Sequence, residues 1–283
     1  AEDGIRDVAV TGVQTCALPI STTWMESSLV KVDLTGSITV VIATPSSGQG
    51  HETLASTVVG EELERDPDRI RVVHADTVSA LPGNTPVGSR MAIMIGGAAT
   101  AAARAIRERL LHIGAHNLKC SLERVEYREG AVFMRDDPSR SLSWDQLVEI
   151  AHRRYHLMPP GMEPGLQAQF TYQVPTGGAM PGPDGRVQMY PCYAFEAHLV
   201  LVEIDPDTAR PVIRDYWCGH DCGTVFNPDI VHGMTYGGIA HGIGAALYEK
   251  FQYVEGGQLG AASFMDYLLP SAHEVPTIHV EIG

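Results

Sequence analysis

Residues 29–65 read LVKVDLTGSITVVIATPSSGQGHETLASTVVGEELER, and this stretch decides the fold. Leu29–Val32 and Ser37–Ala43 are β-rich runs separated by Asp33-Leu34-Thr35-Gly36, the turn chemistry of a hairpin. The loop Pro45-Ser46-Ser47-Gly48-Gln49-Gly50-His51 then opens a helix over 52–65, in which Ala55, Val58, Val59 and Leu63 keep helical spacing. Asp66-Pro67 stops it, and a strand follows at Ile70–His74, ending in Asp76-Thr77. A hairpin that feeds a helix and then another strand points to a mixed sheet covered by helices.

Outward from this stretch, the strongest helical pattern runs from Met91 to Ile113. Ile95, Ala99, Ala102, Ile106, Leu110 and Ile113 form one apolar stripe, Arg104, Arg107 and Glu108 lie off it, and Gly114 is expected to cap its C-terminus. Two β-prone stretches, Arg124–Tyr127 and Ala131–Met134, surround Glu129-Gly130, and Ser143–His152 reads as a short helix with a serine N-cap. Residues 158–191 are crowded with proline and glycine, so regular structure is not expected there. Phe195–Ile204 and Pro211–Trp217 flank Asp205-Pro206-Asp207-Thr208, a second strong hairpin signal. A helix rich in glycine follows over 233–251. Within it, Gly237, Gly238, Gly242 and Gly244 cost helix stability unless something packs close to, or approaches, the backbone. No sequence repeat is evident. The whole predicts an α+β fold of two similar lobes, mixed sheet and hairpins covered by helices. The lobes are 21–157 and a truncated 192–283, joined by the crossing 158–191. Residues 1–20 show no clean period, and 12–20 resemble translated sequencing-adapter sequence. They are expected to be a non-native scar, the alternative being an irregular N-terminal strand.

Composition narrows the function. The 283 residues carry 20 Lys plus Arg against 34 Asp plus Glu, a net charge of −14, which argues against nucleic acid and against anionic lipid as partners. No apolar run reaches the ~20 residues of a membrane span. The five cysteines (Cys16, Cys120, Cys192, Cys218, Cys222) are odd in number and scattered, which is no disulfide framework, and the cytoplasm is the expected location.

Three constellations carry chemistry. Gly48-Gln49-Gly50-His51 lies between a strand and a helix, where backbone amides attract an anion. As a dinucleotide fingerprint it lacks its third glycine, which is Thr53, and a preceding hairpin is out of place. Asp76 as a ribose-binding acid keeps a nicotinamide-dependent dehydrogenase as an alternative. Cys218-x-His220-x-Cys222 with Asp221 has metal-ligand residue types without the paired spacing of a zinc site. A non-catalytic pterin- or metal-binding module is therefore the second alternative, although structural roles are the more ordinary reading. Ser89-Arg90 precedes the long helix: the serine is ordinarily an N-cap, while the arginine suits a forked phosphate contact.

Gly48-Gln49-Gly50-His51-Glu52-Thr53, His74-Ala75-Asp76-Thr77, Gly88-Ser89-Arg90 and Gly96-Gly97-Ala98-Ala99, taken in order, resemble the second molybdopterin-binding region of the molybdenum hydroxylases. That family includes the large subunits of xanthine dehydrogenase, aldehyde oxidoreductase and aerobic carbon monoxide dehydrogenase. Val202-Glu203-Ile204-Asp205, Asp221-Cys222-Gly223 with Asn227-Pro228, Gly237 to Glu249, and Asp266-Tyr267-Leu268-Leu269-Pro270 extend the resemblance from about Met25 to the end.

The resemblance implies a molybdenum–molybdopterin cofactor, with or without extension as a cytosine dinucleotide. It implies oxidative hydroxylation of an aldehyde, N-heterocycle or related small molecule with oxygen from water. Electrons would leave through iron–sulfur and FAD partner subunits or domains, in a homodimer of the heteromeric complex. Carried over residue by residue, it assigns cofactor contacts to Gln49, Gly50, His51, Ser89, Arg90, Asp221, Cys222 and Gly223, and no metal ligand or catalytic residue to this chain. The family's catalytic glutamate lies in a Gly-Glu-Gly-type motif past the Leu-Leu-Pro segment, beyond Gly283, and its Gly-Phe-Gly cofactor loop lies upstream. The resemblance therefore implies an interior fragment, inactive by itself, of a molybdenum-dependent oxidoreductase.

Overall fold

A computed structural model describes residues 25–74, 76, 78, 81–83, 86, 88–174, 182–186 and 193–283. The scar expected at 1–20, together with Cys16 and Cys192, lies outside them. The chain divides into two compact units, with residues 25–186 in one and 193–283 in the other.

In the first unit, β1 (Met25–Val32) and β2 (Ile38–Ile42) form the expected hairpin, with Val30 opposite Val40. Its turn is held by Asp33 Oδ1, which accepts hydrogen bonds from Thr35 N, Thr35 Oγ1 and Ser37 N. Gly36 has φ 84°, and a Cβ there would meet the Trp144 indole nitrogen at 2.7 Å, so glycine is required twice over. Helix α1 (His51–Leu63) leads to β3 (Arg71–His74), which lies parallel to β2. Helix α2 (Met91–Leu118) packs beside α1 and against β1. All six stripe residues of α2 are wholly buried. Each of Ile95, Ile106, Leu110 and Ile113 contributes about 1.5–3 kcal/mol in a single core with Val30, Val32, Val40 and Ile42.

Two expectations are corrected here. Gly114 is not a cap: α2 continues to Leu118 and ends on Lys119 in the left-handed conformation, while Gly114 lets β5 approach the helix. The proline- and glycine-rich crossing does contain regular structure. Strand β7 (Leu166–Gln173) pairs antiparallel with β1 and completes the sheet order β3-β2-β1-β7. Its sequence, LQAQFTYQ, has no proline or glycine; those residues flank it, and its aromatic and threonine content favours a strand.

The two β-prone stretches β4 (Val125–Arg128) and β5 (Ala131–Met134) pair antiparallel as a hairpin. The strand β6 (Asp137–Leu142), not read from the sequence, joins them in a small antiparallel sheet against the far end of α2. Helix α3 (Trp144–Arg153) opens with a capping box in which the Ser143 hydroxyl and Gln146 satisfy each other's backbone amides.

In the second unit, β8 (Phe195–Ile204) and β9 (Pro211–Asp221) form a long hairpin, and α4 (Pro228–Leu247) follows. The strand β10 (Ile278–Ile282) then lies parallel to β9. Cys218, Ile239 and Ile243 form the core between sheet and helix. Helix α4 begins five residues before the sequence pattern suggests, because Asn227 accepts from Ile230 N and Pro228 occupies the first turn. Both units repeat one topology: a hairpin, a helix, and a strand parallel to the hairpin's second strand. The similarity of the lobes is therefore one of topology, without a repeat in the sequence.

Candidate functional site: a glycine-opened helix start

The loop between β2 and α1 departs from ordinary helix initiation. Gly50 occupies the cap position with φ 78° and, having no side chain, makes no side-chain cap to the first turn of α1. Gly48 has φ 109°, and no described residue comes within 4 Å of where a Cβ would stand. The first amides of a helix need an acceptor, and here the chain provides no side-chain cap. Gln49 braces the loop from within, its Oε1 accepting from Ser47 N (2.6 Å) and Ser46 Oγ (3.3 Å).

His51 follows and is 4% exposed, with its Nδ1 buried and without a hydrogen-bond partner among the described residues. Burial lowers its pKa, against the opposing charges of Glu52 and Glu26 and the backbone of Thr44 and Pro45. For Glu52, burial works against ionisation. Hydrogen bonds from its own amide, His74 and Ser46 outweigh this and keep the carboxyl below its usual range.

Ser89 and Arg90 start α2, in roles other than those their types suggest. Ser89 is exposed with φ 53°, and the cap position belongs to Arg90, which makes no side-chain cap. The Arg90 guanidinium is 6% exposed and donates from Nη2 to Glu26 Oε2 at 3.0 Å, so its fork is turned into the protein. Glu26 itself is wholly buried, and its Oε1 accepts from Thr44 Oγ1 at 2.7 Å. Sequence reasoning missed Glu26 and Thr44. The signal was there: the period-two pattern of Val32 and Val30 extends back through Ser28 to Glu26, placing a carboxylate on the core side of β1.

In the second unit, Asp221, Cys222 and Gly223 end β9 and start the loop toward α4. This is the topological position that Gln49, Gly50 and His51 hold between β2 and α1. Asp221 Oδ1 accepts from Gly223 N, and Gly223 has φ 75° with no described residue within 4 Å of its Cβ position. Cys222 is exposed. Cys218 is buried beneath α4, where burial and then the Glu196 charge raise its pKa. His220 Nδ1 lies 2.7 Å from Glu196 Oε1, off the hydrogen-bond direction, and Glu196 Oε2 lies 3.3 Å from His198. As a metal site the cysteine–histidine cluster therefore fails on geometry. Among the described residues, no three His, Cys, Asp or Glu side chains are arranged to hold a metal.

The sequence matches the molybdopterin cofactor-binding domain family over residues 8–276. This chain belongs to that family. The domain is 36% identical over 255 residues to the 6-hydroxypseudooxynicotine dehydrogenase complex subunit gamma of Paenarthrobacter nicotinovorans, covering 89% of this chain and 30% of the relative. It is 31% identical to the carbon monoxide dehydrogenase large chain of Afipia carboxidovorans, covering 89% and 29%. The crystal structure of quinoline 2-oxidoreductase from Pseudomonas putida 86 superposes with a TM-score of 0.79 at 30% identity, covering 92% of the domain and 31% of that chain. The domain thus spans about three-tenths of the length of these relatives.

The nicotinamide alternative is overturned with this. Beyond the missing third glycine, β1 and β7 run antiparallel to their neighbours, so the sheet is not the parallel doubly wound one that reading requires. The residues present fit the family's cofactor on their own chemistry. An uncapped helix start, glycines that leave the backbone open, and the orphaned Nδ1 of His51 suit a polar, anionic ligand. Among the described residues, no helix is long and apolar enough to cross a membrane.

Proposed function

We propose that this domain holds part of the molybdopterin cofactor of a molybdenum hydroxylase acting on an aldehyde, N-heterocycle or related small molecule with water as the oxygen source. The observation that carries the reading is the uncapped start of α1 at Gly48-Gln49-Gly50-His51, with its buried, unpartnered imidazole nitrogen. When bound, the molybdenum–pterin group supplies the two-electron oxidation that side chains cannot perform.

The chain's own residues bind and orient. The first amides of α1 donate to an anionic part of the ligand, and the open backbone at Gly48 and Gly50 lets it come close. Gln49, with its Oε1 fixed inside the loop, presents its amide nitrogen as a donor. The lowered pKa of His51 keeps its ring neutral near pH 7, so the ring orients a polar group without adding charge. Ser89 offers its hydroxyl at the start of α2. Arg90, committed to Glu26, acts through the position of that loop. Asp221, Cys222 and Gly223 are assigned cofactor contacts by family resemblance, supported by the open glycine and by their equivalent place in the repeated topology.

The cytosine dinucleotide form, iron–sulfur and FAD partners, a homodimeric complex and a cytoplasmic location belong to this proposal. The relatives' names support its substrate class, as they include a nicotine 6-hydroxylase large subunit and a quinoline 2-oxidoreductase. Replacing Gln49 by alanine in the complete subunit tests the reading. Molybdenum occupancy falls if the loop grips the cofactor, and unchanged metal content overturns it.

A further inference from the structure

A buried carboxylate joins the two loops to which the first unit's cofactor contacts are assigned. Glu26 is wholly buried in β1, and each of its oxygens serves a different segment. Oε1 accepts from Thr44 Oγ1 at 2.7 Å, in the stretch that runs into Gln49. Oε2 accepts from Arg90 Nη2 at 3.0 Å, at the start of α2 beside Ser89. A third segment sits on the same group: a Cβ at Gly83 would stand 2.6 Å from Glu26 Oε1 and 2.6 Å from the Ala43 methyl carbon. The Glu26 charge also reaches His51, favouring its protonated form.

A buried ion pair is a poor source of net stability, because desolvating both charges offsets most of their attraction. It does fix geometry, since a carboxylate in a low-dielectric interior tolerates little displacement of its donors. A Leu or Met at position 26 would hold neither loop and would take the carboxylate away from the buried Arg90 guanidinium.

We infer that Glu26 is a positioning residue for molybdopterin binding: through Thr44 and Arg90 it sets the loops at 45–51 and 88–90 in the arrangement that receives the cofactor. The inference rests on the cofactor reading above, and its test separates the two. In the complete subunit within its complex, the variants are Glu26→Gln, Glu26→Asp and Thr44→Val. The readouts are pterin released per subunit and hydrogen exchange of backbone amides.

Glu26→Gln lowers pterin content at least about tenfold. It accelerates exchange at 45–51 and 88–91, while the β4–β5 hairpin keeps its protection. Glu26→Asp, which keeps the charge, retains more pterin than Glu26→Gln; a purely space-filling role would favour the isosteric glutamine instead. Thr44→Val, nearly isosteric, decides the matter if Glu26→Gln does not fold: pterin falls and exchange rises at 45–51 alone. Wild-type pterin content and wild-type loop exchange in the folded variants overturn the positioning role. Absence of pterin from the wild-type subunit overturns the cofactor reading, and this inference with it.

Discussion

Glycine-to-alanine substitution has opposite signs at two positions of α2, and the pair tests the packing that supports the site. In a helix interior the exchange gains about 1 kcal/mol, because alanine loses less backbone freedom on folding. At Gly96 a Cβ meets nothing within 4 Å among the described residues, so Gly96→Ala keeps that gain. At Gly114 the new carbon would lie 2.3 Å from Val132 Cγ1, 2.8 Å from its Cβ and 3.2 Å from its Cγ2. Val132 is wholly buried in β5, the middle strand of its sheet, so relief requires α2 and β5 to separate. Overpacking of this kind costs about 1–3 kcal/mol, and a contact this short belongs near the upper end. Gly114→Ala is therefore destabilising by roughly 2 kcal/mol after the propensity gain. Urea unfolding followed by far-UV circular dichroism gives both values, provided the slope is unchanged. Adding Val132→Ala to Gly114→Ala should recover about 1–2 kcal/mol as a coupling energy. If both glycine variants moved stability in the same direction, or the double variant showed no coupling, the close approach of α2 and β5 would be refuted.

Other consequences follow from single side chains. Because the folded state depresses the His51 pKa, it binds fewer protons than the unfolded chain. The corresponding stability is whole above the ordinary value of 6.5 and declines as pH falls through it toward the lower folded value. His51→Gln should flatten that part of the loss in urea midpoints measured between about pH 7.5 and 5.5, and an unchanged slope would count against a buried neutral imidazole. Maleimide should label the exposed Cys222 in the folded protein and reach Cys218 only after denaturation, as read by peptide mass mapping; equal labelling would contradict the burial of Cys218 beneath α4. Ser143→Ala removes half of the α3 capping box and should cost about 1 kcal/mol in the same urea experiment.

Much of the framework was legible because period and turn chemistry agreed. The Asp33–Gly36 turn fixed the first hairpin, and the α2 stripe from Ile95 to Ile113 is buried throughout. The failures have physical causes. Gly114 carries the usual stop signal, but its missing side chain serves a helix–sheet contact that only tertiary structure reveals. β7 hid in a segment whose average composition is that of a loop, though its own eight residues are not. β10 is short and pairs with a strand over fifty residues away, which no local pattern encodes. At the candidate site, the glycine-opened loop at 48–51 was legible from residue types. The inward turn of Arg90 was not, because its cause is a carboxylate sixty-four residues earlier in the chain.

The central claim is that the loop at Gly48–His51 belongs to a molybdopterin-holding domain. Metal and pterin analysis of the purified complete subunit in its complex tests it most directly. Molybdenum and pterin present in equal amounts, both diminished by Gln49→Ala, is the result this account predicts. A wild-type complex containing neither, or carrying zinc or a nicotinamide dinucleotide in their place, would contradict it.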